Sequence, residues 1–339
     1  MESVETHGRS VVPKEKGDAW KCKICGDTPQ GGNNWRCASK EAVMYYIDPR
    51  NWMDDTHIFE FENLSYNEEI HTIDGVKKII AGIEYMNGDS KVTYTKTDGT
   101  IEALDKSYSE IIMEAAKSAK ISPYHLVLRI MQEQGRKNIP GSTATGTYEG
   151  YVGYYNFLNI EASGSTDREI TINGLETARN NKWTNPEISI IEGAKILAKY
   201  YINDGQDTLY LQKFDVDDSD NIMFWYQYMQ NLSAPLTESE EIAEIYKELN
   251  IKNSKMEFII PVYENMPKTK CEKPVLKHDV NGDEKINSSD AVAILKYITK
   301  KREFTEVEFI SADVNEDGKV NSKDAVLILK YIAKKIAEI

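Results

Sequence analysis

The chain has 339 residues, 40% apolar and 28% charged, a globular composition that excludes disorder and fibrous repeats. Its 41 basic and 55 acidic residues leave a formal charge of −14 with no basic stripe, which argues against nucleic acid as a partner, and no apolar run reaches the ~18 residues of a membrane span. A domain usually takes about 100–200 residues, so one large domain plus something smaller is expected.

Met1 to Gly17 is polar and charged, without the apolar stretch of a secretion signal. Cys22-x-x-Cys25 with Cys37 offers three ligands of a zinc site, or one disulfide and a spare thiol. With no fourth Cys or His close by, zinc is the less favoured of the two. Cys271 is too distant in sequence for its partner to be assigned.

Farther on, Tyr108 to Lys120 reads as an amphipathic helix. Ile111, Ile112, Ala115, Ala116 and Ala119 form its stripe, and Ser107-x-x-Glu110 makes a capping box. A second helix starts at once, with Ser122 as N-cap, Pro123 at the first helical position and Gly135 as the stop. Leu126, Val127, Ile130 and Met131 face the core, and Glu133 shares their side. At the negative end of the helix dipole and among apolar neighbours, its carboxyl is expected to hold its proton. A glycosidase general acid needs that property.

Residues 146–164, GTYEGYVGYYNFLNIEASG, carry four glycines and five aromatics. The segment suits neither helix nor simple strand. It reads as a glycine-hinged aromatic surface for stacking on sugar rings, with Tyr148, Tyr151 and Tyr154 as candidate contacts, while the twenty tyrosines of the chain also suit an aromatic core. Trp183 to Pro186 starts another helix with the stripe Ile190, Ile191, Ala194, Leu197, Ala198 and Tyr201. A charged helix from Glu238 to Leu249 and a strand-like EFIIPVY then close the large domain.

The strongest internal signal lies near the C-terminus. DVNGDEKINSSDAVAILKYI (279–298) recurs as DVNEDGKVNSKDAVLILKYI (313–332), offset by 34 residues and identical at 15 of 20 positions. Oxygen-bearing side chains stand at loop positions 1, 3, 5, 9 and 12, the spacing of a calcium loop. The first copy offers Asp279, Asn281, Asp283, Asn287, Asp290 and the carbonyl of Lys285; the second offers Asp313, Asn315, Asp317, Asn321, Asp324 and the carbonyl of Lys319. Two Ca2+ ions are expected. Each loop runs into a helix whose stripe is Ala291/Ile294/Leu295/Ile298 or Ala325/Ile328/Leu329/Ile332. Pro274 argues against an entering helix, so the unit reads as loop plus exiting helix.

Residues 275–337 resemble a type I dockerin, the module that docks secreted enzymes onto scaffoldin cohesins of a cellulosome. The resemblance implies cohesin contacts through Ser288-Ser289 and Ser322-Lys323 at loop positions 10 and 11, and through the pairs Leu295-Lys296 and Leu329-Lys330. It also implies an extracellular or cell-surface location, although no signal peptide is visible.

Upstream, YIDPRNW, SPYHLVLRIMQEQG, GYYNFLNI, NGLETA and GQDTLYLQKFDV resemble the clostridial form of glycoside hydrolase family 73, the mannosyl-glycoprotein endo-β-N-acetylglucosaminidase-like domain. This resemblance implies a lysozyme-like α+β fold, mainly helical with a small lobe of strands and loops, beside the all-α dockerin. It makes Glu133 the general acid and places Tyr155 and Asn156 in the cleft. It requires no cofactor for catalysis. The chain departs from the family pattern at Glu149 and Val152, where relatives carry proline and glutamate. Asp167 and Glu169, then Glu161, are the candidates for a second carboxylate, the alternative being assistance from the substrate's own N-acetyl group.

The expected organisation is an unassigned segment 1–39, a catalytic domain 40–270, a linker 271–278 and a dockerin 279–339. The expected activity is hydrolysis of peptidoglycan glycan strands after N-acetylglucosamine. A muramidase, an enzyme cutting chitin or N-glycans, and a degenerate glycan-binding module are the competing readings.

Overall fold

Two short strands open the described chain, β1 (Val11–Pro13) and β2 (Trp35–Cys37), antiparallel with Val11 opposite Cys37. Helix α1 (Lys40–Ile47) follows, its first turn closed by the Ser39 side chain accepting from Ala42 N–H. A computed structural model describes residues 9–86, 88–216, 224, 227–251, 255–336 and 339. The start of the 1–39 segment and residues 337–338 of the expected dockerin lie outside them.

The large unit comprises Met53–Tyr228 and Ala234–Pro261. Its elements are α2 (Ile73–Ile80), the hairpin β3 (Thr93–Thr95) and β4 (Ile101–Ala103), α3 (Tyr108–Ala119), α4 (Pro123–Gln134), α5 (Asp167–Asn180), α6 (Pro186–Lys199), α7 (Leu209–Phe214) and α8 (Ala234–Glu248). The local signals act where expected. Ser107 and Glu110 close a reciprocal capping box, Ser122 accepts from His125 N–H ahead of Pro123, and Asn185 caps α6. All five stripe residues of α3 are buried, and its alanines permit close packing on α6, which buries Ala194 and Ala198. Leu126, Val127 and Ile130 place α4 inside the same core. The architecture is mainly helical with a small strand and loop component, in which β3 and β4 pair over three residues each. Of EFIIPVY only Phe258 forms a bridge, to Glu62, so the expected strand is an extended tail.

The second unit comprises Met1–Trp52, Met229–Ser233 and Val262–Ile339. The expected large domain ran unbroken from 40 to 270. Here residues 229–233 group with the N-terminal strands because Val11 N–H donates to Gln230 O and Leu232 N–H to Val11 O. Trp20, Tyr45, Tyr46 and Trp52 form an aromatic cluster in which Tyr46 stacks on Trp52 at 5.5 Å. Near the C-terminus α9 (Ser288–Ile298) and α11 (Ser322–Ile332) pack together, joined through α10 (Glu306–Ala312). The second loop therefore has a short entering helix, capped by Thr305 and Glu308, where none was expected.

Candidate active site

Glu133 lies in the last turn of α4, its side chain 26% exposed. Apolar surroundings were expected for its carboxylate. The structure gives it polar partners instead: Arg129 Nη2 donates to Oε1 at 3.3 Å and Asn159 Nδ2 donates to Oε2 at 3.0 Å. The correction has a simple cause. Arg129 is one helical turn before Glu133, and Asn159 arrives from a loop that helix periodicity cannot see.

That loop is fastened to the end of α4 by Gln134, a buried residue that sequence reasoning passed over. Its Nε2 lies 3.1 Å from each of Thr143 Oγ1, Asn156 O and Phe157 O, which share its two N–H donors. Thr143 Oγ1 donates to Asn159 Oδ1 at 2.6 Å, which fixes the Asn159 amide so that its nitrogen faces Glu133. Asn159 adopts φ 48°, a left-handed conformation that asparagine tolerates better than most residues. Its type was the one available signal, and no local pattern marked it.

The aromatic segment has no regular secondary structure, as expected, but its residues divide into two kinds. Tyr155 is 2% exposed and Asn156 0%, which corrects their expected place facing the substrate. Tyr155 Oη donates to Thr95 O at 3.0 Å and accepts from Thr95 N–H at 2.8 Å. Asn156 Nδ2 donates to Ile160 O and Gly174 O, both at 2.9 Å. Both side chains hold the loop to its neighbours. Gly153 permits the approach of the β3–β4 turn, since a Cβ there would lie 2.3 Å from Thr97 N. Gly146 similarly yields to the Tyr155 hydroxyl, 2.0 Å from a hypothetical Cβ. Tyr148, Tyr151 and Tyr154 remain half-buried. Tyr151 is oriented by a hydrogen bond to Glu176 and by the Arg179 guanidinium 5.0 Å from its ring centre.

Two of the other candidate carboxylates, Glu169 and Glu161, accept hydrogen bonds from neighbouring residues. Asp167 and Glu169 occupy the exposed first turn of α5, where the helix dipole favours acidic groups. Glu169 Oε2 accepts from Ser165 N–H at 2.8 Å while Thr166 caps the helix. Glu161 accepts from Thr177 Oγ1 at 3.0 Å. No hydrogen bond links any of the three to Glu133 among the described residues. A separate cavity of about 190 Å³ opens between α4 and α8, with His125, Arg129 and Glu238 on its wall.

The two C-terminal loops share the hydrogen bonds made by their last aspartate. Asp290 is fully buried, and its carboxylate accepts from Val280, Asn281 and Asn287 N–H. Asp324 does the same for Val314, Asn315 and Asn321. Each loop needs left-handed backbone at positions 4 and 6. Gly282 (φ 76°) and Glu284 (φ 64°) fill them in the first copy, Glu316 (φ 56°) and Gly318 (φ 80°) in the second. Glycine and glutamate have exchanged places while the loop shape is kept.

The family model for the Dockerin type I domain matches residues 277–333. The C-terminal repeat is a type I dockerin. Over 208 residues the chain is similar to a β-N-acetylglucosaminidase of Bacillus subtilis (strain 168), 28% identical, covering 59% of this chain and 21% of that protein. A bifunctional autolysin of Staphylococcus epidermidis (strain ATCC 12228 / FDA PCI 1200) is 21% identical over 184 residues, 53% of this chain and 13% of that one. The chain thus spans about a fifth or less of the length of these relatives. The S. aureus glucosaminidase B structure aligns at 20% identity with a TM-score of 0.48, over 65% of this chain and 78% of that one.

In the dockerin the expected core stripes split. Ala291 and Ile294, like Ala325 and Ile328, are buried between α9 and α11, whereas Leu295 and Leu329 are 44% and 45% exposed. Ile298 and Ile332 are exposed with them. Two small helices bury only one narrow face each, so the outer edge of each stripe stays in water. Ser288, Ser289 and Lys296 in α9, and Ser322, Lys323 and Lys330 in α11, are exposed beside those leucines.

Proposed function

We propose that the large unit is an endo-acting β-N-acetylglucosaminidase that hydrolyses peptidoglycan glycan strands between N-acetylglucosamine and N-acetylmuramic acid. The carrying observation is Glu133: a carboxylate on a buried, rigid helix, open to solvent on one side and oriented by Asn159 and Arg129. Similarity to the Bacillus β-N-acetylglucosaminidase supports the substrate class. Protonated Glu133 donates to the leaving glycosidic oxygen as the C1–O bond breaks. In this reading the substrate's 2-acetamido oxygen attacks C1 as that bond breaks, since none of Asp167, Glu169 and Glu161 is hydrogen-bonded to Glu133 among the described residues. Water then adds to C1 from the side the leaving group vacated, opening the ring and returning its proton to Glu133. Tyr148, Tyr151 and Tyr154 offer faces for sugar stacking. Net retention at the anomeric carbon, read by proton NMR, is the expected stereochemistry; inversion would require a protein base.

The dockerin would fix this activity to a scaffoldin cohesin outside the cell, through Ser288, Ser289, Leu295 and Lys296 on one face and Ser322, Lys323, Leu329 and Lys330 on the other. The donor chemistry suits two Ca2+ ions, being wholly oxygen. Asp279, Asn281, Asp283, the Lys285 carbonyl, Asn287 and Asp290 would hold one, and Asp313, Asn315, Asp317, the Lys319 carbonyl, Asn321 and Asp324 the other. The ions would supply folding energy to a module with a thin core.

Mass spectrometry of muropeptides released from purified cell walls tests the enzyme reading. Products with reducing-end N-acetylglucosamine support it; reducing-end N-acetylmuramic acid would make the protein a muramidase. Glu133→Gln keeps the shape and removes the acid, so release should fall by about 10²–10⁴-fold with folding unchanged.

A further inference from the structure

The three N-terminal cysteines converge. Cys22, Cys25 and Cys37 bring their Sγ atoms within 4.8 Å of one another, although eleven residues lie between the last two. Three sulfurs around a tetrahedral zinc stand ~3.8 Å apart, from a Zn–S length of about 2.3 Å. The observed triangle approaches one face of that tetrahedron. A disulfide would join two of the sulfurs at about 2.05 Å and exclude the third.

The backbone is shaped to hold them so. Residues 22–26, CKICG, form a tight turn in which Gly26 N–H donates to Cys22 O at 2.8 Å and Gly26 adopts φ 52°. Cys37 is fixed from the other side, since Cys22 N–H donates to Cys37 O at 2.9 Å and β2 carries Cys37 opposite Val11. Three thiolates and one divalent cation carry a net charge of −1. Lys21 and Arg36, each adjacent to a cluster cysteine, supply positive charge, both drawn to Asp27 at 3.2 and 3.1 Å. The segment also needs a fastening, for none of residues 23–36 is buried.

We propose that Cys22, Cys25 and Cys37 form a structural zinc site that clamps residues 22–37. Among the described residues no fourth His, Cys, Asp or Glu joins the cluster; these three thiolates are the ligands proposed here, and a tetrahedral ion leaves one further position. Thiolate ligands select a soft cation, which separates this site from the all-oxygen calcium loops of the dockerin.

The test uses the full chain, produced in a reducing cytosol with added zinc and dialysed against zinc-free buffer containing excess Ca2+. Elemental mass spectrometry should find about one zinc per chain. Cys37→Ser should lose it and Cys271→Ser should keep it, because Cys271 lies outside the cluster. Cobalt exchanged into the wild-type chain should show thiolate-to-metal charge-transfer absorption, a readout independent of whether Cys37→Ser folds. Wild-type protein with no zinc and no such absorption overturns the proposal. So does a disulfide between two of the three cysteines in the zinc-supplemented chain, found by non-reducing peptide mass spectrometry.

Discussion

Replacing Glu62 by glutamine should change how the large unit's stability depends on pH. Glu62 is 5% exposed, and Tyr246 Oη donates to its two oxygens at 3.0 and 3.2 Å. Burial raises its carboxyl from 4.5 to about 7, and the Tyr246 hydrogen bond opposes but does not cancel the shift. Between those values the folded protein keeps a proton that the unfolded chain releases. Raising the pH through this window therefore lowers stability, and the loss levels off above about 7. The shift of 7 − 4.5, at ~1.4 kcal/mol per pH unit, amounts to about 3 kcal/mol between pH 4 and pH 8. Glutamine keeps the shape and a hydrogen-bond acceptor but cannot ionise. Burial lowers His71 to about 4 and, with Arg129 nearby, His125 to about 3. Both raise stability with pH up to the ordinary histidine value, in the opposite sense, but they are common to both proteins and cancel in the difference. Urea unfolding of calcium-saturated wild type and Glu62→Gln, followed by circular dichroism, measures that difference. The variant should gain on wild type by about 3 kcal/mol from pH 4 to pH 8. A flat difference would refute the argument that Glu62 is desolvated in the folded state.

Chelating calcium should unfold α9 to α11 while the large unit stays folded; calorimetry should lose one transition and keep the other. Charged, bulky replacements at Ser288 and Ser289 alone should cost cohesin affinity only about 0.4 kcal/mol, RT ln 2 for one of two equal orientations. The same change at Ser322 and Lys323 as well should abolish binding; total loss from a single face, by titration calorimetry, would rule out the dual mode. Asn159→Gly preserves the left-handed backbone and removes the amide that orients Glu133, so kcat should fall about ten- to a hundredfold with KM held, on the scale of one hydrogen bond to a charged group, while the lost Thr143 bond lowers the melting temperature only slightly. Steady-state kinetics beside a thermal melt separates this from loss of fold.

The sequence by itself determined whatever is governed by contacts a few residues apart. Ser107 with Glu110, and Ser122 with Pro123 and Gly135, set the bounds of α3 and α4 because a cap satisfies backbone groups within one turn. The duplicated loops were legible for the same reason, since all their donors lie within twelve consecutive residues. Helix periodicity also put Glu133 at the end of α4, but its environment depended on Asn159, which lies 26 residues away. Tertiary structure likewise decided that Tyr155 and Asn156 are framework, that Glu169 closes a cap, and that Leu295 and Leu329 stay exposed. It brought Cys37 to the Cys22–Cys25 turn through the β1–β2 pairing. Local pattern reports which face of an element is apolar. What that face meets is fixed by chain segments distant in sequence, whose packing no single window contains.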